Sequence, residues 1–468
     1  VHLDVSSSNN ISFTDNNIIR GGDHGVRVDA SSNNNSISLT GNNIAVESSS
    51  AVYLNAKNNT NITFDHNNIT GKTGVSLSVS SINNTNIIFD HNNITGTLYT
   101  AFTMNGFTSN NINITFNDNN MTSVTYGCYL AVYSSNNTQF TFTDNNVTGT
   151  SNVGVYLNAY GSNSSQFTLD HNNITSTSNN GVYLSTFIYS SNNSQFTFTD
   201  NNITGVSYGV NVYSNNGNIS SVMFLNNTIN ATGGSGFYFV NGGSGAINVT
   251  DFIIRGNNIF ATNAGLNFSG LKTGSLVNVT VEYNRIIAPV GVNLNGYDNG
   301  SSFDYNWWGV NDITGKTLSI DTVNHFILRI TNLTSLDNLQ SGDNVSFAFL
   351  VLNTTLKNDG VENLPYFALN GTFNGNSYDT SRDDSFEDNF TVSSGTQVVA
   401  ATLDNQYAIL AFNTNSSVIV SDVSIGDTAV ISGQLSNYTG DGSDLLNVTV
   451  DGNVYSDVNI NSTGGWSL

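Results

Sequence analysis

Asp or His, and once Gly, stands one residue before a recurrent asparagine, as Asp15, Gly41, His66, His91, Asp118, Asp144, His171 and Asp200. Both types ligate metals and carry protons. Asp65-His66 and Asp90-His91 fall in neighbouring repeats, where a weak two-histidine site is conceivable. The change of type along the column instead suits turn residues bonding locally to the backbone, so no metal ligands are assigned to it. A second candidate is YDTSRDDSFEDNF (378–390), which crowds Asp379, Asp383, Asp384, Glu387 and Asp388 together. Carboxylate oxygens suit calcium, but the spacing is not that of an EF-hand loop, and a solvated acidic loop is the simpler expectation. The third candidate is Tyr129, Tyr156 and Tyr183, which recur at one outward position of three successive repeats. Stacked exposed aromatics dock sugar rings or a partner protein; the simpler alternative is a cross-strand ladder that stiffens a sheet.

These residues are positioned by an internal repeat. The asparagine followed two residues later by an apolar residue is Asn16, Asn42, Asn67, Asn92, Asn119, Asn145, Asn172, Asn201, Asn227, Asn257, Asn284 and Asn306, spaced 22 to 30 residues apart. Three residues before it the column runs from Phe13 and Leu39 to Val281 and Phe303, and two residues after it from Ile18 and Ile44 to Ile286 and Trp308, without a polar residue in either. A small residue followed by alternating apolar positions forms a further signature, for example GVYL at 154–157 and 181–184. Alternation of period two marks a strand with one buried face. Three short strands per repeat, wound so that like residues stack, predict an all-β, right-handed parallel β-helix of about twelve coils, roughly 55 Å long at about 4.8 Å per coil.

The pattern resembles the parallel β-helix repeats of the pectate-lyase-like superfamily. That resemblance implies an inward asparagine ladder at the turn between the second and third strands, for which the twelve aligned asparagines are the candidates. A left-handed backbone suits Asn, whose amide can bond to the coils above and below. Asn284-Arg285-Ile286 keeps the first asparagine of the pair and loses the second, so the first is assigned to the ladder and the second to the outside. The enzymes of this superfamily place Asp clusters and a basic residue on the outer face of the first strand. Here that column, Arg27, Tyr53, Ser76, Thr103, Tyr129, Tyr156, Tyr183, Asn211, Tyr238, Asn267 and Asn293, holds no carboxylate. With neither a general acid nor a base in sight, the expectation is that the chain is not an enzyme, has no catalytic residues and needs no cofactor.

Composition narrows the setting. About one residue in six is Asn, with 43 Gly, 2 Pro, and 11 Lys+Arg against 33 Asp+Glu for a net charge of −22. No basic patch meets phosphates, which argues against nucleic acid. Cys128, the single cysteine, allows no intrachain disulfide and falls in an inward column, where it reads as a buried, inert small residue. Roughly thirty N-x-S/T sequons point to N-linked glycans; Asn68, Asn93, Asn120, Asn146, Asn173 and Asn202 of the repeat lead that set. Neither a signal peptide nor an apolar run of bilayer-spanning length is visible, and the chain reads as a piece of something longer.

At 303–309 the repeat ends in FDYNWWG, with Trp308 in the inward column and Trp307 placed to cover the end of the stack. From about 325 the period disappears, and alternating strands with turn signals suit a β-sandwich. This order resembles archaeal, chiefly methanogen, adhesin-like surface proteins, in which such a motif closes a β-helix before an immunoglobulin-like domain. The resemblance implies a β-helix over 1–312, an Ig-like module over 313–414 and a second, incomplete one over 415–468. It implies a non-enzymatic, glycosylated, extracellular cell-surface protein for adhesion or envelope display, with surface glycans or proteins as partners. The alternative is a subunit that assembles with its own copies into a layer, sheath or filament, and a polysaccharide-degrading enzyme stands behind both.

Overall fold

The computed structural model describes all residues except 6–9, 31–34, 57–59, 81–82, 108–109, 134–136, 161–164, 188–194, 216–217, 246, 272–274, 295–296, 319, 321, 356, 358–359, 382–387, 415, 421–430, 436–444, 451–452 and 464. The chain divides into two compact units, Val1–Asp304 with Gly315–Thr322, and Tyr305–Thr314 with Val323–Leu468.

The first unit is a parallel β-helix. Each repeat supplies three strands, as in Tyr126–Tyr133, Gln139–Thr143 and Asn146–Gly149. Gln139–Thr143 turns Phe140 and Phe142 inward and its other residues outward, the two-residue period of a strand with one buried face. Like residues of successive coils pair in parallel register, Phe116 with Phe142, Leu169 and Phe198 in turn, and Met121 with Val147, Ile174 and Ile203. Three sheets result, of 13, 13 and 11 strands among the described residues.

Register turns the inward columns into stacks. Phe64, Phe89, Phe116 and Phe142 are buried, with ring centroids 4.5, 5.0 and 4.4 Å apart in sequence, and Phe140, Phe167 and Phe196 follow at 4.7 Å. Each buried ring contributes about 1.5–3 kcal/mol by removal from water, with offset stacking adding to it. The small residue before the GVYL strand is required by a close approach. A Cβ on Gly154 would meet Ile174 Cγ2 at 2.8 Å and the Gly181 carbonyl oxygen at 2.7 Å. The glycine therefore lets the third strand's isoleucine pack against the corner.

The second unit is antiparallel. Phe326–Asn332 pairs with Asn344–Asn353, which pairs with Asn389–Thr391. A four-stranded sheet joins Asn376–Ser381, Ala368–Phe373, Thr396–Leu403 and Gln406–Asn413. Phe347, Phe373, Phe390 and Phe412 are buried together, with Phe373 and Phe390 centroids 4.7 Å apart and Phe347 and Phe412 5.8 Å apart. Beyond them, small sheets formed by Ser416–Val420, Ile431–Leu435 and Gly465–Ser467, and by Leu445–Val450 and Asn453–Asn459, have a core of Ile431, Val458, Ile460 and Trp466. Trp307 and Trp308 are fully buried and belong to this second unit, where the Trp307 indole N–H donates to Asp404 Oδ2 at 2.7 Å. Among the described residues, no helix is long and apolar enough to cross a membrane.

Candidate functional site

The turn between the second and third strands carries two amide ladders. From Asn16 to Asn257, each aligned asparagine donates from Nδ2 to Oδ1 of the next coil's asparagine at 2.9 to 3.0 Å. The same Oδ1 atoms accept the preceding coil's backbone N–H, as Asn145 Oδ1 does from Asn119 at 2.9 Å. Nδ2 also reaches back to a carbonyl one coil earlier, so that Asn119 bonds the Phe89 oxygen at 2.9 Å. Asn284 accepts from Asn257 Nδ2 at 2.9 Å and donates to the Ile254 and Glu282 carbonyls at 2.8 and 3.0 Å. Asn306 is fully buried and lies in the second unit.

The left-handed conformation lies one residue earlier than the sequence suggested. Asp15, His66, His91, Asp118, Asp144, His171 and Asp200 have φ between 49° and 57°, Gly41 has 66°, and none of the ladder asparagines is among the positive-φ residues. Asp, His, Asn and Gly tolerate this region better than other types. That tolerance explains why the column varies among them.

The left-handed turn aims the Asp/His column at solvent. His66 Nδ1 lies 2.5 Å from Asp65 Oδ1, His91 Nδ1 2.9 Å from Asp90 Oδ1, and His171 Nδ1 3.1 Å from Asp170 Oδ1. The hydrogen bond to Asp170 holds the His171 imidazolium above its ordinary range. Across coils, the His66 and His91 rings stack at 4.8 Å and 7°, and His91 Nε2 lies 3.6 Å from Asp118 Oδ2. Asn117 donates to Asp90 Oδ1 at 2.8 Å and to Asp118 Oδ2 at 3.3 Å.

Tyr129, Tyr156 and Tyr183 are in direct register on the outer face of the first sheet and half-buried. Their rings stack at 4.7 Å and 13°, then 4.9 Å and 5°. Tyr126 meets Tyr129 and Tyr156 edge-on at 5.5 and 5.7 Å, and Tyr213 follows Tyr183 at 6.0 Å. Burial first, and then neighbouring tyrosines, pushes the Tyr129 and Tyr183 phenols well above their ordinary range. The ring faces within the stack are occupied by one another, those of Tyr156 on both sides. What the column offers is ring edges and neutral hydroxyls, with that of Tyr129 bonded to Tyr133 and that of Tyr156 to Ser185. The sequence placed the tyrosines on the outside but gave no sign of the ring orientation or of Tyr126 joining them.

The second asparagine of each pair forms an outer ladder that sequence reasoning did not anticipate. Asn43, Asn68, Asn93, Asn120, Asn146, Asn173 and Asn202 each donate from Nδ2 to Oδ1 of the preceding coil's asparagine at 2.8 to 3.0 Å, exposed to solvent. Its polarity is opposite to that of the inner ladder. Of the acidic segment, Asp383, Asp384 and Glu387 lie outside the described residues; Asp379 lies on the strand Asn376–Ser381, and exposed Asp388 accepts from the Asn389 N–H at 2.9 Å. Cys128 is buried, and burial pushes its thiol far above the ordinary range.

No protein-family model matches the chain, and no curated protein does. Among solved structures it is similar to the Dettilon tailspike protein, at 13% identity over 98% of this chain and 82% of that one, with a TM-score of 0.31. It is similar to the catalytic domain of a GH87 alpha-1,3-glucanase, at 11% identity over 66% of this chain and 64% of that one, with a TM-score of 0.34. It is similar as well to the mannuronan C-5 epimerase A-module of Azotobacter vinelandii, at 14% identity over 64% and 90%, with a TM-score of 0.32. These are likenesses of fold. The expectation that the chain is not an enzyme is corrected by them, since a glucanase and an epimerase stand among the similar structures. That expectation rested on one outer column without carboxylates. The structure gathers carboxylate and imidazole groups on the turn column after the second strand, and also on the first sheet at His2, Asp4 and Asp29.

Proposed function

We propose that this chain is an extracellular, adhesin-like surface protein whose β-helix binds a linear carbohydrate along the outer face of its first sheet. The observation that carries this is the register of Tyr129, Tyr156 and Tyr183, with Asn211 and Tyr238 continuing the column. It sets polar edges at one per coil, about 4.8 Å apart. With the ring faces within the stack covered, a sugar ring has none of these faces to stack on. Recognition then runs through hydroxyl hydrogen bonds to a polymer lying along the coil axis, and the Tyr126 ring walls one side. The tailspike, glucanase and epimerase likenesses fit a surface or carbohydrate-binding β-helix. The outer asparagines Asn68, Asn93, Asn120, Asn146, Asn173 and Asn202 are proposed as N-glycan acceptors, because each Nδ2 uses one hydrogen in the ladder and keeps one for a glycosidic bond.

The test is a glycan array with the full chain and a triple variant, Tyr129→Phe, Tyr156→Phe and Tyr183→Phe, which keeps the stack and removes the hydroxyls. Loss of binding to an extended glycan in the triple variant supports the proposal. Equal binding by both proteins, or binding of protein partners alone, overturns it.

A further inference from the structure

We infer that a cavity on the outer face of the second sheet is a site for an uncharged, hydroxyl-rich ligand, a neutral sugar, independent of the tyrosine column. The cavity has a volume of about 400 Å³ and is lined by Asn111, Ile112, Asn113, Asn137, Gln139 and Gln166, within the size range of small-ligand sites. All the lining residues but Ile112 carry carboxamides and none is charged, in a chain of net charge −22. Parallel pairing sets Asn113, Gln139 and Gln166 in register on successive coils, so their amides recur about 4.8 Å apart. Asn111 and Asn137 stand at φ 55° and 51°, and Asn137 Nδ2 donates to Asn111 Oδ1 at 3.2 Å, which ties one wall together across a coil step. Asn113 is tied in the same way to Asn86 Oδ1, at 2.9 Å. The asparagines are thereby held in place, and the longer Gln139 and Gln166 side chains stand exposed beside them.

The lining decides the class of ligand. A carboxamide sets an acceptor oxygen beside two N–H donors, and adjacent hydroxyls of a sugar present the matching donor and acceptor. Asn113 and Asn137 each spend one Nδ2 hydrogen on a neighbouring coil and keep the second. With no ionised side chain in the lining, an ion finds no counter-charge to offset its desolvation. With no aromatic side chain there either, the cavity offers no ring face for stacking. An extended peptide is captured by the free edge of a strand, and the strands Asn110–Asn117 and Gln139–Thr143 are paired on both sides. Hydrogen bonding to hydroxyls is the recognition that this surface supplies, and the coils keep its groups at fixed spacing.

The full chain is made without glycosylation for the test, because Asn113-Ile114-Thr115 is itself a sequon. Calorimetry and saturation-transfer NMR then follow titration with glucose, galactose, mannose and N-acetylglucosamine, with their disaccharides, and with glucuronate. The variants are Gln139→Ala combined with Gln166→Ala, Gln195→Ala alone, and Tyr129→Phe combined with Tyr156→Phe and Tyr183→Phe. Both cavity glutamines are exposed, so their truncation keeps the fold, which circular dichroism verifies. The expected result is saturable binding of at least one neutral sugar in preference to glucuronate, weakened roughly tenfold or more when the two glutamine amides are removed. Binding is expected to be unchanged by Gln195→Ala, in the same column but outside the cavity, and by the tyrosine substitutions. The absence of saturable neutral-sugar binding, or binding that survives loss of both glutamines, would overturn the inference. Loss in the tyrosine variant instead would assign the sugar to the first sheet and overturn it as well, while leaving the tyrosine proposal standing.

Discussion

Asn119→Ala is expected to open the β-helix locally, and its neighbour Asn120→Ala is not. Asn119 is 1% exposed, and Asn120 is exposed. The Asn119 Oδ1 accepts the Asn92 backbone N–H and Nδ2 at 2.9 and 3.0 Å, while its Nδ2 serves the Phe89 and Asn117 carbonyls and Asn145 Oδ1, each at 2.9 Å. Truncation leaves the Asn92 N–H without that acceptor and removes a donor from the buried Phe89 carbonyl. Asn145 Oδ1 keeps the Asn119 backbone N–H and is the least affected. Two buried polar groups stranded at about 1–3 kcal/mol each give a loss of about 4 kcal/mol. Asn120 also makes one ladder bond, to Asn93 Oδ1 at 3.0 Å, but water replaces it at an exposed site, and the loss stays within about 0.5 kcal/mol.

Because coils contact only their neighbours, the damage is local, and a global melt dilutes it. Native-state hydrogen exchange resolved by segment is the suitable assay, on protein made without glycosylation so that loss of the Asn120 sequon is silent. At 1.4 kcal/mol per decade, about 4 kcal/mol raises exchange near Asn92 and Asn119 by roughly 700-fold. If Asn119→Ala and Asn120→Ala change protection there by factors within roughly threefold of each other, the ladder does not hold the coils together and the reasoning fails.

Further expectations follow from the same turn. Asp144, at φ 57°, tolerates Gly, whereas Asp144→Val forces a β-branched residue into the left-handed region and is expected to cost about 1–3 kcal/mol in denaturant unfolding. His171 has its pKa raised by the hydrogen bond to Asp170, so its stabilising contribution is full below the unfolded pKa and is lost as pH rises through the folded one. The NMR titration midpoint of His171 is expected to fall in Asp170→Asn, and an unmoved midpoint refutes that pairing. Neighbouring outer asparagines lie about 4.8 Å apart, close to the width of a sugar ring, so site-resolved glycopeptide mass spectrometry of glycosylated protein is expected to find glycans on fewer than all six outer-ladder sequons.

The inward columns were legible because each position was repeated many times. Phe64, Phe89, Phe116 and Phe142 repeat one choice, and a strand's period of two assigns them all to one face. Asn284-Arg285 told the two asparagines apart, because an inner ladder with buried amides does not accept arginine while an exposed position does. The left-handed residue was misplaced by one, because Asp, His and Asn share the tolerance for positive φ and a D-N-N triplet does not say which of the three adopts it. Ring orientation at Tyr129, Tyr156 and Tyr183 was hidden for another reason: period two states which side a residue faces, whereas stacking depends on the rotamers of its neighbours. The Asp/His column was seen and set aside because its residue types vary. Variation is what a position under backbone constraint alone permits. Inside the coils each side chain is fixed by the one above it, so the inner columns have little room for new chemistry. The turn column is bound only by φ, and it can gather imidazoles and carboxylates at coil spacing without disturbing the ladder beneath.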